Sequence, residues 1–304
     1  MIRGLYTSAS GMLAELHRQD TISNNLANVD TPGYKKDIPV FTALKKLDIY
    51  RTHDNKLPVE DIQKPALRPI RVIRERLGDK VKTGSLREIW PFIGKLGVGV
   101  GVDEVITDFK QGPIKATNNN FDMALNGPGF FKVQTKQGLR YTRAGTFTIN
   151  KSGFLVTKDG DYVMGKNGPV QIIGNNLNVD EDGDVLVKES ELTKEQIMDY
   201  QSKGYPKRDD MYIVNKLDIV DIKNHKGLLK EGSNLYKPSN AISAVEVSVP
   251  KTQVKQGFLE GSGVNVVTSM VNMISVSRAY EANQRVIWAH DSLLDKAVNT
   301  VGRV

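Results

Sequence analysis

Cysteine is absent from this chain of 304 residues, which excludes disulfides and thiolate chemistry and fits, without requiring, an oxidising compartment. Histidine is scarce: His17, His53, His225 and His290 stand far apart, and none has a second ligand at metal-binding spacing. No apolar run nears the roughly 18 residues that a membrane-spanning helix needs, so no membrane insertion is expected. The opening Met1-Ile2-Arg3-Gly4-Leu5-Tyr6-Thr7-Ser8 has neither an apolar core nor a small-residue cleavage site, so a cleaved export signal is not expected. Proline is missing from residues 251 to 304. Lys and Arg total 42 against 35 Asp and Glu, a net charge of +7 that is modest for a nucleic-acid binder. At 39% hydrophobic and 25% charged, the chain has enough apolar material for a real core.

What is present is helical at the ends and β in the middle. Ile2, Leu5, Ala9, Met12, Leu16 and Leu26 fall on alternating steps of three and four, and Tyr6, Leu13 and Ile22 widen the stripe. At about 1.5 Å per residue this predicts a helix roughly 40 Å long. It stops near Asp30-Thr31-Pro32-Gly33. The rhythm returns in Met270, Met273, Tyr280, Ile287, Leu294, Val298 and Val301, with Ser277, Gln284 and Asp291 in the other slots. Val267, Val271, Ile274, Val286 and Leu293 broaden it, and Gly261-Ser262-Gly263 marks its start. Each stripe alone would suit a helix packed on its own domain. Two of them at opposite termini can pair as a coiled coil, with apolar surface left over for partners. Asn24, Asn25 and Asn28 stand at the tip of the first helix, either capping and cross-linking it or simply solvated.

The middle alternates short β-type runs with glycine turns. Residues 130–135 and 139–142 flank Lys136-Gln137-Gly138, and 146–149 and 154–156 flank Asn150-Lys151-Ser152-Gly153. Further strands are expected at Tyr162–Met164, Leu217–Val220 and Val245–Val249, and a helix over 189–201. The fold class is therefore mixed α and β: paired terminal helices around a central antiparallel β-rich domain. Three parts are expected: 1–31 with 263–304, an extended intermediate region of 32–111 with 240–262, and a β-rich outer part over 112–239.

Residues 45–96 differ in character. Lys64, Arg68, Arg71, Arg74, Arg76, Lys80, Lys82 and Arg87 face only Glu75 and Asp79 between 64 and 87, and prolines punctuate the segment. It is either a solvated insertion or a contact arm for acidic patches on a neighbour. With only Trp90 and Phe92 as aromatics over 64–96, base stacking is disfavoured, and no nucleic-acid partner is expected.

Other motifs are weak. Gly97-Val98-Gly99-Val100-Gly101-Val102 lacks the strand-then-helix setting of a phosphate loop and alternates as a strand does. Asp180-Glu181-Asp182-Gly183-Asp184 has its glycine misplaced for a calcium loop and reads as an acidic turn. No hydrolase elbow, P-loop or zinc-protease helix occurs. Catalysis, cofactor and metal are not expected, although carboxylate pairs can be hidden by folding. A β-rich enzyme acting on a polysaccharide and a nucleic-acid binder remain as the readings from other classes.

Two termini and one central motif resemble a known family. Ser8-Ala9-Ser10-Gly11-Met12 and Ser23-Asn24-Asn25-Leu26-Ala27-Asn28-Val29-Asp30-Thr31-Pro32-Gly33-Tyr34-Lys35 are similar to the N-terminal signature of flagellar rod and hook proteins. Gly261–Ile274 and Arg278–Asn283 are similar to its C-terminal partner. Gly127–Val133 and Arg140-Tyr141-Thr142-Arg143-Ala144-Gly145-Thr146-Phe147 resemble the β-domain motif of the two long rod subunits. The resemblance implies a non-enzymatic axial subunit, exported uncleaved through the flagellar type III apparatus. It would polymerise in the periplasm with copies of itself, other rod subunits and the hook or an adjacent rod segment. Ile2-Arg3-Gly4-Leu5-Tyr6 and Gly112–Asn126 fit the proximal-side subtype better than the distal-rod one. The implied assembly residues are Leu5, Met12, Leu16, Asn24, Asn25, Leu26, Asn28, Met270, Met273, Ile274, Tyr280, Ile287 and Leu294, with the basic segment as contact arm.

Overall fold

The computed structural model describes residues 2–44, 46–50, 92–172, 177–189, 195, 197–198, 206–208, 211–222, 225–239, 246–248 and 252–301. In chain order the elements are α1 (Ile2–Ala27), β1 (Asp37–Ala43), β2 (Leu47–Tyr50), β3 (Phe92–Leu96), β4 (Val100–Thr107), β5 (Ile114–Ala116), β6 (Met123–Asn126), β7 (Phe130–Thr135) and β8 (Gly138–Thr142). Then come β9 (Phe147–Ile149), β10 (Leu155–Thr157), β11 (Tyr162–Gly165), β12 (Gly168–Pro169), β13 (Asn178–Val179), β14 (Asp184–Lys188), β15 (Lys207–Arg208) and β16 (Met211–Lys216). The chain closes with β17 (Ile219–Ile222), β18 (Leu228–Gly232), β19 (Leu235–Pro238), β20 (Glu246–Ser248), β21 (Gln253–Gln256), β22 (Phe258–Glu260) and α2 (Val266–Lys296). A π-helical turn over Ala297–Val301 extends α2.

The chain divides into two units, one of Met1–Glu15, Phe41–Asp103 and Ala279–Val304, the other of Leu16–Val40 and Glu104–Arg278. In the first, the start of α1 runs antiparallel to the end of α2. A Cβ placed on Gly4 would stand 2.6 Å from His290 Nε2, and one on Gly11 would stand 3.1 Å from Asn283 Nδ2. Seven residues forward on one helix thus match seven back on the other. The glycine-rich run crosses α1 here. Gly99 adopts φ +154° where a Cβ would lie 2.2 Å from Ser10 Oγ, and the Val100 N–H donates to that same oxygen at 3.3 Å. The strand reading of this run holds for Val100–Val102, which open β4, and not for Gly97–Gly99, which lie between β3 and β4. β2 and β3 form an antiparallel ribbon at the two ends of the long basic segment. The seven basic arm residues from Arg68 to Arg87 lie outside the described residues.

The second unit holds the β-rich body. A ten-stranded sheet runs β18-β19-β8-β7-β11-β10-β9, with β12 on β11, β17 on β7 and β20 on β17. A four-stranded sheet runs β13-β14-β16-β15, and β21–β6 and β22–β5 are separate ribbons. Strand alternation gives the sheet two apolar faces. On β7, Phe131 and Val133 enter a core with Leu125, Leu155, Val163 and Val185, while Phe130 enters a second one with Tyr141, Val220 and Tyr236. At about 25 cal/mol per Å² of apolar surface, these cores supply the main drive to fold.

The expected hairpins are present, with β7 meeting β8 from Thr135↔Gly138 to Phe131↔Thr142 and β9 meeting β10 at Thr148↔Val156. The strand expected at Leu217–Val220 starts at Ile219 as β17; Leu217 forms an isolated bridge to Gly165 and its N–H continues the β14–β16 register by donating to Gly183 O at 2.8 Å, so the chain changes partners at Asp218. The helix expected over 189–201 falls mostly outside the described residues. The acidic run is a turn as read, closed by Gly183 N–H donating to Asp180 O at 2.9 Å, with Arg208 and Lys216 paired to Asp180 and Asp184.

Candidate assembly interface

α1 ends in asparagine chemistry. Asn25 is buried and treats the backbone of Asp37 as a strand would: its Nδ2 donates to Asp37 O at 2.8 Å and its Oδ1 accepts from Asp37 N at 2.9 Å. Tyr34 Oη donates between Asn24 Oδ1 and Asn25 Oδ1, each 3.0 Å away. Asn28 Nδ2 donates to Asn24 O at 2.9 Å, satisfying a carbonyl of the last turn. Of the two readings of these asparagines, capping and cross-linking is the one the geometry bears. Lys230 Nζ covers the same corner, 2.8 Å from Asp37, donating to Lys35 O at 2.7 Å and lying 4.4 Å from the Tyr34 ring centroid. The Tyr34 hydroxyl is pushed from 10.0 to about 12, first by burial and then by the Asp37 carboxylate.

Next to this corner lies a buried ion cluster. Lys35 Nζ stands 2.6 Å from Glu260 Oε1, and Arg143 Nη1 3.2 Å from Glu260 Oε2, with side chains 1%, 5% and 1% exposed for Lys35, Arg143 and Glu260. Glu260 Oε1 also accepts from Gly112 N at 2.8 Å. Lys35 Nζ donates to Lys110 O at 2.8 Å, and Arg143 Nη2 to Gly127 O at 2.9 Å. The guanidinium sits 5.4 Å from the Phe130 ring centroid. Burial pulls both cations below their usual values, opposed in each case by the attraction of Glu260. Backbone bonds lace the cluster: Gly33 N donates to Glu260 O at 2.8 Å, Gly261 N to Pro113 O at 2.7 Å and Gly263 N to Tyr34 O at 2.9 Å. Gly33 has φ +69°, and a Cβ there would lie 2.5 Å from the Arg143 carbonyl carbon, so only glycine fits. Asn265 then caps α2, its Oδ1 accepting from Thr268 N at 3.0 Å.

The inward sides of the helices mix small, polar and apolar residues. On α1, Ser8, Ala14, Ile22 and Asn25 are buried; Gly4, Leu5, Gly11, Met12, Glu15, Arg18, Leu26 and Asn28 are half-buried, and Leu16 and Asn24 are exposed. On α2, Met273, Tyr280, Ile287 and Leu294 are half-buried. Val276 is buried, Ser277, Asn283, Gln284 and His290 are half-buried, and Asp291 is exposed. Met270 and Ile274 point to solvent. Large apolar side chains therefore remain outside in both units: Tyr6 64% exposed, Leu13 59% and Trp288 62% in one, Val267 71% and Met270 50% in the other. No described helix is long and apolar enough to cross a membrane. No metal-binding cluster occurs among the described residues. A polar recess of about 290 Å³ lined by Asn24, Tyr34, Lys230 and Asn234 has one carboxylate, Asp37, which is held by Lys230 and by Thr107 Oγ1 at 2.7 Å. It offers no carboxylate pair for hydrolysis of a polysaccharide.

Lys35, Arg143 and Glu260 were not singled out by sequence reasoning, although Lys35 and Arg143 lie inside the quoted motifs. Comparison with known families gives that placement a pattern. Residues 5–35 match the model for the flagella basal body rod protein, 124–187 the flagellar hook protein FlgE/F/G D1 domain, and 255–300 the flagellar basal body rod FlgEFG protein C-terminal region. The three matches contribute Lys35, Arg143 and Glu260 in turn. The chain is 34% identical to the flagellar basal-body rod protein FlgG of Buchnera aphidicola subsp. Baizongia pistaciae, over 97% of this chain and 98% of that one. It is 32% identical to FlgG of Borreliella burgdorferi, over 98% of each chain. To the flagellar basal-body rod protein FlgF of Caulobacter vibrioides it is 28% identical over the full length of both.

Removing one member of a buried ion cluster strands the others. Glu260→Gln should cost about 3–5 kcal/mol in urea unfolding, whereas Arg208→Ala at an exposed pair should shift the midpoint little. Tyr34 sets an alkaline limit. Its pKa is raised on folding, so its contribution is complete below pH 10.0 and is lost as pH rises to about 12. Tyr34→Phe should flatten the fall of the unfolding midpoint over that window, with buried Tyr236, also shifted upward, keeping part of the slope.

Proposed function

Because this chain belongs to the flagellar basal-body rod protein family, a structural and not an enzymatic one, we propose that it is an axial subunit whose terminal helices are its polymerising surface. The observation that carries this is the outward display of Tyr6, Leu13, Val267, Met270, Val271 and Ile274 on the terminal helices. A monomer gains nothing from such surface, and neighbouring copies bury it. Contacts between different faces of successive copies do not close, so they generate an open helical shaft. Leu16 joins this outer face, while Leu5, Met12, Leu26, Met273, Tyr280, Ile287 and Leu294 line a coiled-coil seam that stiffens each subunit. Asn24, Asn25 and Asn28 fix the joint where α1 leaves the shaft.

In this reading the subunit works in the periplasmic part of the basal body and transmits torque from motor to hook. It reaches that place uncleaved through the flagellar export apparatus, and meets copies of itself, other rod subunits and the hook or an adjacent rod segment. The three-part division into terminal helices, intermediate region and outer β part belongs to this assembled state. The basic segment with Arg68, Arg71, Arg74, Arg76, Lys80, Lys82 and Arg87 is its arm toward acidic neighbours. The relatives named FlgG at 32–34% identity favour the distal-rod subtype. The proximal-side preference drawn from Ile2–Tyr6 and Gly112–Asn126 has no such support.

The test is Leu13→Asp with Ile274→Asp. The variant should keep the far-ultraviolet spectrum and thermal midpoint of the monomer and lose filaments or oligomers by electron microscopy at rising concentration. Retained assembly would contradict the proposal.

A further inference from the structure

The apolar seam of α2 cannot by itself choose its register against α1. Tyr280, Ile287 and Leu294 recur every seven residues, so sliding the helices by one heptad keeps equivalent apolar contacts. Two polar residues interrupt this sameness. His290 and Asn283 occupy inward positions of the seam and stand on Gly4 and Gly11, where no side chain could fit beside them without displacement. The imidazole Nδ1 of His290 is buried and has no hydrogen-bond partner among the described residues. A polar atom so enclosed costs stability that an apolar residue would not. That cost is the mark of a device for specificity, as when a single polar core residue fixes the register of paired helices.

We propose that His290 and Asn283 are register keys. Seated on the two glycines, they hold the terminal helices of this chain in one antiparallel alignment and exclude those one heptad away. A slide in one direction puts His290 on Gly11 and leaves Gly4 facing Ala297, with Asn283 off its glycine. A slide in the other puts Asn283 on Gly4 and takes His290 off its glycine. Only the observed register seats both. The consequence is functional: a fixed register fixes the outward pattern of Tyr6, Leu13 and Trp288 that a neighbouring copy must meet. The inference rests on the reading of the terminal helices as a coiled pair, and its test separates the two.

The chain lacks cysteine, so introduced pairs report register by oxidative cross-linking at dilution, read as a mobility shift of the monomer. Ser8→Cys with Ile287→Cys reports the observed register; Ser8→Cys with Leu294→Cys, or with Tyr280→Cys, reports the neighbouring ones. In the otherwise unchanged chain, the first pair should cross-link at least tenfold faster than the others. With His290→Leu and Asn283→Leu added, the other two should rise to comparable rates while the helical signal persists. His290→Ala with Asn283→Ala serves as the second background should leucine not be accommodated. Dominance of the Ser8–Ile287 pair in both backgrounds would overturn the keys and keep the pairing. Failure of every pair in the unchanged chain would overturn the pairing itself.

Discussion

Lys35, Glu260 and Arg143 form the contact on which the rest of the structure depends. Glu260 reaches back 225 residues to Lys35 and 117 to Arg143, so one carboxylate joins the exit of the first helix, the β body and the entry to the last helix. Taking three charges out of water is unfavourable unless every lone pair and N–H near them is used. Here the carboxylate has a partner on each oxygen and the two cations also reach backbone carbonyls, while Arg143 Nε is buried without a hydrogen-bond partner among the described residues. The glycines around it follow from the same need. Gly33 lets the backbone pass the Arg143 carbonyl, and Gly112 lies where a Cβ would meet Gly261 O at 2.2 Å. Exact placement of three chain segments is what the ions secure, at the expense of the greater stability an apolar cluster could give.

That placement matters because the helices on either side of it are half-finished. A helix isolated in water is marginal, and these two leave several large apolar residues exposed, among them Tyr6, Leu13, Trp288 and Val267. Such surface is consistent with a rod-family subunit, since subunits of that family assemble with other rod and hook components. The buried cluster ties the exit of α1 and the entry of α2 to the β body through charge and backbone hydrogen bonds.

Much of this was legible in the sequence. The two terminal stripes, the glycine stops at Gly33 and Gly261–Gly263, and the hairpins around Gly138 and Gly153 follow from local rules that act over a few residues. Asn283 and His290, which lie against Gly11 and Gly4 of the facing helix, were not legible because apolar periodicity gives no weight to polar residues. The ion cluster was hidden for a different reason. Its members are set by tertiary closure, and nothing local distinguishes Glu260 from a solvated carboxylate at the end of a strand. Very short strands such as Ile114–Ala116 and Phe258–Glu260 also escaped, since three residues show no alternation to count.

The most direct measurement of the central claim is native-state hydrogen exchange of the unchanged chain across low denaturant. The amides of Gly33, Gly112, Gly261 and Gly263 all donate within or beside the cluster. If the cluster is one cooperative joint, these four should exchange with a common opening free energy and a common denaturant dependence. Independent openings, with Gly33 and Gly263 exchanging by small local fluctuations while Gly112 stays protected, would contradict it.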